Sequence, residues 1–247
     1  MSVDWIKPDW PAPVNIHAGT TLRRGGVSKG VWASLNLGTH VNDDASAVAE
    51  NRRRFSLECN LPAEPLWLRQ THSSNVAIAA PSPMDPGTDA MVTRATNSIC
   101  AVLSADCLPV LFASNSGDEI AVAHAGWKGL NDGILEATIN AMNASPADVL
   151  VWLGPAISQP AFEVGAEVRD RFVAEQSAAA AHFVENERGR FQADLYGLAK
   201  QRFGFLGITD VYGGDRCTYS ESKDFFSYRR DGECGRMVTF IYRTDSA

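Results

Sequence analysis

The chain has 247 residues, 45% of them hydrophobic and 21% charged, which is enough apolar content for a sizeable core. A formal net charge of -7 and a pI near 5.2 leave no basic footprint for nucleic acid, and the run Arg52-Arg53-Arg54 reads as a solvated helix face. The first ten residues lack the apolar segment of a signal peptide, and the best apolar stretch, 99–112, is interrupted by Asp106 and Pro109 before it reaches the ~18 residues of a membrane span. No membrane association and a cytoplasmic location are therefore expected.

In chain order, apolar runs and alternations predict strands over 14–22, 66–68, 76–79, 99–104, 110–113, 120–124, 149–153, 208–212 and 237–242. Helical periods fall over 45–57, 127–142, 164–176 and 193–203. In the second of these, Leu130, Ile134, Leu135, Thr138, Ala141 and Met142 share one face. Gly129 and Gly133 each cost that helix up to ~1 kcal/mol relative to Ala, so a packing or ligand reason for them is expected. The proline-rich segment 80–87 reads as a surface loop, the short connection 115–119 as a hairpin, and the Ala-rich 177–181 as a helix end. Strands and helices interleave without strict β-α-β alternation. The expected fold class is α/β (α+β), with mixed β-sheets flanked by helices rather than one doubly wound parallel sheet.

Five cysteines without a C-x-x-C pair argue against a disulfide scaffold or a zinc ribbon. Cys59, Cys100 and Cys234 read as structural and Cys217 stays open. Cys107 is different, because it lies between two histidines, His72 and His124, and all three fall at predicted strand ends. The separations, 107 − 72 = 35 and 124 − 107 = 17, exclude a zinc-finger spacing, so any shared site is assembled by tertiary folding. One thiol and two imidazoles suit a zinc ion with an open fourth position. They equally suit a Cys-His nucleophile pair. Asp106 places a carboxylate in a run that otherwise reads as core, which requires a partner and makes it a candidate to orient a ligand.

His40 is a candidate to line a pocket, whereas His17 and His182 read as ordinary core or surface histidines. Gly126-Trp127-Lys128-Gly129 opens a predicted helix directly after His124, where free backbone N–H groups and Lys128 would attract an anion. Tyr228-Arg229-Arg230-Asp231-Gly232 is either a hairpin turn or a source of a bidentate arginine.

Several runs are distinctive together: Thr21 to Ser28, Ser34-Leu35-Asn36-Leu37-Gly38, Trp67 to His72, Ala105-Asp106-Cys107-Leu108-Pro109-Val110, His124 to Leu130, Trp152 to Ile157, Phe162-Glu163-Val164-Gly165 and Phe225 to Gly232. In this order they resemble the YfiH/laccase-domain family, also called the polyphenol oxidase or purine nucleoside phosphorylase family, over nearly the whole chain. The resemblance implies a single domain over 1–247 with the YfiH-like fold. It also implies that His72, Cys107 and His124 are both zinc ligands and catalytic residues, with Asn36, Lys128 and Arg229 as expected substrate-binding residues. The implied activities are phosphorolysis of adenosine, inosine and 5'-methylthioadenosine with inorganic phosphate, and adenosine deamination. Some members of the family look like editing factors for peptidoglycan precursors, so a zinc or Cys-His amidohydrolase is the alternative enzyme. A non-catalytic zinc-stabilised module is the third reading. The chain departs from the usual family pattern at Thr71 and Ser73 around His72, at Ser104, and at Lys128, where Arg is commoner. A multicopper laccase needs around ten histidines for its copper sites; this chain has five, with no His-x-His pair.

Overall fold

A computed structural model describes residues 3–78 and 87–245. Chain order runs β1 (Trp5–Ile6), β2 (Ile16–Thr21), α1 (Ala45–Glu58), β3 (Leu66–Trp67), β4 (Val76–Ile78), β5 (Ala90–Thr93), β6 (Cys100–Ser104), β7 (Leu108–Ser114), β8 (Ile120–Ala125), α2 (Trp127–Asn131), α3 (Ile134–Ala141) and β9 (Val149–Leu153). It continues with β10 (Glu163–Val164), α4 (Ala166–Glu175), β11 (Phe183–Glu185), β12 (Phe191–Ala193), α5 (Leu195–Phe205), β13 (Val211–Gly213), α6 (Tyr228–Asp231) and β14 (Met237–Arg243). The proline-rich loop expected over 80–87 falls, except for Gly87, outside the described residues.

Two mixed sheets face each other. The first has the order β1-β2-β14-β6-β3 and the second β13-β9-β7-β8-β5-β4, while β10-β12-β11 form a small third sheet. In the first sheet only β3 and β6 pair in parallel. The second is parallel at β4–β5 and β13–β9 and antiparallel in its centre. The period-two alternation of β6 decides which face goes where. Cys100 and Val102 join Ile241 against Met91, Leu111, Val122 and Trp152 of the second sheet. Ala101 and Leu103 point the other way, to Phe55 of α1 and to Leu35 and Leu37. The outer face of the second sheet is covered by α3, α4 and α5, with Phe112 edge-on to Phe203 at 5.9 Å. The result is four layers, helix on sheet on sheet on helices. Each fully buried Phe or Leu contributes roughly 1.5–3 kcal/mol by leaving water.

The helix expected over 127–142 is two helices. Gly133 stands at φ 90, which a residue with a Cβ adopts only at a cost, and it turns α2 into α3. Leu130 and the apolar face of α3 stay buried on both sides of that break. The strand expected from Val14 starts only at Ile16, because residues 13–16 form a turn closed by Ile16 N–H on Pro13 O at 2.9 Å. Tyr228 to Asp231, weighed as a hairpin turn, form the short helix α6, with the Ser227 side chain accepting from Arg230 N–H. The strands β10 to β12 were not expected, since two or three residues carry no readable period. Among the described residues, no helix is long and apolar enough to cross a membrane.

Candidate metal centre

The three candidate ligands gather at one edge of the sandwich, where the two sheets meet. His72 follows β3 of the first sheet, Cys107 sits in the tight turn between β6 and β7 that crosses from one sheet to the other, and His124 stands in β8 of the second. Their donor atoms all lie within 4.8 Å of one another. Cys107 Sγ is 3.6 Å from His72 Nε2, and the two imidazole rings meet edge-on with centroids 4.9 Å apart. A tetrahedral ion with bonds of ~2.3 Å to sulfur and ~2.05 Å to nitrogen places those two ligand atoms about 3.6 Å apart. The donor set therefore fits a zinc-sized ion with three protein ligands and a fourth position open to the cavity.

Asp89, just before β5, organises the cluster. It is fully buried, and its carboxylate accepts from the backbone N–H groups of Thr71, His72 and Ser73 at 3.0, 3.0 and 2.7 Å. It also accepts from the Ser73 hydroxyl at 2.8 Å. These bonds hold His72 in the left-handed region at φ 59, a conformation that needs outside support in a non-glycine residue. The same carboxylate pairs with His124 Nδ1 at 2.9 Å, which leaves His124 Nε2 for the ligand role. Burial pushes the Asp89 carboxyl up, but His124 and the backbone N–H groups of Ser73 and Thr71 outweigh it and hold it well below the ordinary carboxylate range.

The ligand electrostatics follow. Burial raises the Cys107 thiol, yet the neighbouring His124 and His72 bring it well below the ordinary thiol range. Burial lowers His124, but the Cys107 thiolate and Asp89 more than restore it and push it up. The two opposed shifts favour the thiolate of Cys107 and the protonated form of His124 in each other's presence. A metal held by His72, Cys107 and His124 would take the place of the proton on His124 Nε2.

Gly126 closes the wall behind the cluster. A Cβ there would meet His72 Cδ2 at 2.6 Å and Cys107 Sγ at 3.0 Å, so only glycine lets these ligands converge. Gly126→Ala is expected to weaken metal affinity about 10- to 100-fold, the range for disturbing ligand orientation, with far-UV circular dichroism unchanged. Competition with a chromophoric chelator measures it; wild-type affinity in the variant would remove the close-approach argument.

Asp106, whose carboxylate had to find a partner and was a candidate to orient a metal ligand, is buried at φ 96. Its carboxylate goes elsewhere, accepting from Thr218 Oγ1 at 2.6 Å and Arg229 N–H at 2.7 Å, and so ties the Cys107 turn to the start of α6. The histidine-orienting carboxylate is Asp89, which sequence reasoning missed. The signal was available, since Asp89 is a charge abutting the apolar strand 90–93, as Asp106 abuts 99–104.

The cluster opens into a cavity of about 830 Å³. His40 and Arg229 line it, together with Arg236 and the aromatic side chains of Trp127, Phe162 and Tyr228. Lys128 does not line it; the side chain is exposed on α2, a helix of five residues, so the anion site expected at that helix start is not built. Asn36 is fully buried and outside the cavity wall. Its amide is spent on Gly38, Asp43 and the backbone of Arg236. Of the remaining histidines, His17 stacks on Tyr242 at the far side of the first sheet.

A family model described as multi-copper polyphenol oxidoreductase laccase matches residues 17–244. The chain belongs to this laccase-like family. It is 46% identical over 239 residues to the purine nucleoside phosphorylase of Haemophilus influenzae, covering 96% of this chain and 98% of that protein. It is also 46% identical over 238 residues to the purine nucleoside phosphorylase YfiH of Escherichia coli, with the same coverage. Among solved structures it is similar to a Neisseria meningitidis protein at a TM-score of 0.93 and 45% identity, covering 97% of this chain and 99% of that one. Bacillus licheniformis YfiH gives a TM-score of 0.88 at 28% identity, with 93% of each chain covered. The YfiH-like fold of mixed sheets flanked by helices expected from the sequence is the fold these neighbours share.

Proposed function

We propose that the chain is a zinc-dependent purine nucleoside phosphorylase acting on adenosine, inosine and 5'-methylthioadenosine in the cytoplasm, with a side activity of adenosine deamination. The observation that carries this reading is an open His-Cys-His ligand set in the wall of a cavity that is aromatic and cationic at once. The relatives called purine nucleoside phosphorylases, matched over 98% of their length, support it. Zinc, when bound by His72, Cys107 and His124, supplies a Lewis-acid position for substrate.

The chain's own residues do the rest. Trp127, Phe162 and Tyr228 offer ring faces against which a purine stacks. The cavity volume accommodates a nucleoside with phosphate beside it. In phosphorolysis a phosphate oxygen forms the bond to C1' as the C1'–N9 bond breaks and its electron pair leaves with the purine. The proton of hydrogen phosphate ends on the purine, so the reaction needs no further reactant. Asp89 keeps both histidines in register through this step, and the Gly126 wall keeps the ligand cluster compact.

A second reading draws on the thiolate–imidazolium character of Cys107 and His124, which also describes an activated nucleophile of an amidohydrolase acting on peptidoglycan precursors. Zinc-loaded and metal-free protein, assayed side by side on nucleosides and on muropeptide precursors, separates the two. The proposed function requires nucleoside turnover by the zinc form alone. Peptide release by metal-free protein, blocked by alkylation of Cys107, would establish the amidohydrolase instead.

A further inference from the structure

The chain is acidic overall, yet the cavity is not. Arg229, Arg236, Arg69 and His40 line it, and the one carboxylate among the lining residues, Asp106, is already taken by Thr218 and the Arg229 backbone. Elsewhere arginines typically answer carboxylates, as Arg202 answers Glu136 and Arg216 answers Glu221 and Asp224. In the cavity wall they do not. The Arg236 guanidinium donates to the carbonyls of Cys234 and Gly235 and lies 5.9 Å from the Tyr228 ring. The Arg229 guanidinium donates to Glu163 O at 2.8 Å and lies 5.2 Å from the Phe162 ring. Among the described residues neither has a carboxylate partner.

Two features show that this cationic wall is assembled rather than incidental. Asn36 Oδ1 accepts from Gly38 N–H and from Arg236 N–H, each at 2.9 Å, which joins the segment carrying His40 to the segment carrying Arg236. His40, exposed to that cavity, lines it together with His72, Cys107 and His124 as well as Arg229 and Arg236. The wall and the metal cluster therefore face a common space.

Resting on the phosphorolysis reading above, we propose that His40, Arg229 and Arg236 form the subsite for inorganic phosphate, in place of the Lys128 helix start. Guanidinium forks match phosphate oxygens in pairs, and His40 adds a ring N–H donor. The one carboxylate in the cavity wall, Asp106, already accepts from Thr218 and the Arg229 backbone, so the arginine side chains keep their charge free for a dianion. The Phe162 and Tyr228 rings, 5.2 and 5.9 Å from the Arg229 and Arg236 guanidinium groups, add cation–π attraction that helps to place them.

The test is direct binding of inorganic phosphate to the zinc-loaded protein by calorimetry, together with the KM for phosphate. Arg236→Gln and the more exposed Arg229→Gln are each expected to weaken phosphate binding about tenfold, the size of one charge-assisted hydrogen bond. The KM for phosphate should rise by a similar factor, with metal content unchanged. Lys128→Gln should bind phosphate as the wild type does. Phosphate affinity that survives both arginine substitutions, or falls only in Lys128→Gln, overturns the assignment, and so does a wild-type protein that binds no phosphate. Arginine-dependent phosphate binding in a protein that cleaves no nucleoside would leave the subsite standing and remove the phosphorylase reading. Phosphate-dependent cleavage indifferent to both arginines would do the reverse.

Discussion

Cys107→Ala is expected to abolish stoichiometric metal binding and to lower nucleoside turnover by about 10³-fold or more while the fold persists. The residue sits in the β6–β7 turn, half-buried and outside the apolar clusters that hold the sheets together, so truncating it removes little packing. Its loss leaves two imidazoles, one of them already committed to Asp89 through Nδ1, and two ligands hold zinc far more weakly than three. Lewis-acid assistance is worth several kcal/mol, and about 4 kcal/mol corresponds to the 10³-fold loss. Elemental analysis, thermal unfolding and turnover on the same preparation check the three parts. Retained metal with lost activity would move Cys107 from ligand to nucleophile.

Asp89→Ala is expected to be the more damaging substitution for the fold. Its carboxylate collects three backbone N–H donors, one hydroxyl and one imidazole in a fully buried position. Removing it strands the backbone donors of Thr71, His72 and Ser73 and leaves His124 without its partner. The cost of breaking such a buried charged pair is about 3–5 kcal/mol. Because the Asp89 carboxyl is held below its ordinary range, its contribution is fully present above that range and disappears only as pH falls through the depressed value. Denaturant unfolding of metal-free protein gives the stability loss and separates it from the effect of metal. A stability within about 0.5 kcal/mol of wild type would contradict the organising role of Asp89.

Much of this architecture is legible in the residues because the central strands are long and buried. The strands β6, β7, β8 and β9 are continuous apolar runs bounded by turn residues, and their ends place Cys107 and His124 where chemistry is expected, while His72 follows the short β3. The short elements are not legible, since β10, β11 and β12 owe their pairing to tertiary neighbours rather than to local pattern. Asp89 escaped notice because Gly87-Thr88-Asp89 has the composition of an ordinary polar turn. Only folding shows that its carboxylate gathers a loop and a distant strand. Lys128 misled for the converse reason. Glycine-flanked and next to His124, it has the local look of an anion site, but α2 ends after five residues and the side chain leaves the cavity. Arg236, 112 residues beyond His124 in sequence (236 − 124), reaches the same space only through the pairing of β14 with β2 and β6.

The most direct test of the central claim is the release of hypoxanthine from inosine by zinc-loaded protein as inorganic phosphate is varied. The expected rate rises from background to saturation with phosphate, and ribose 1-phosphate forms in equal amount. An equal rate of release without phosphate, or none at any phosphate concentration, would contradict it.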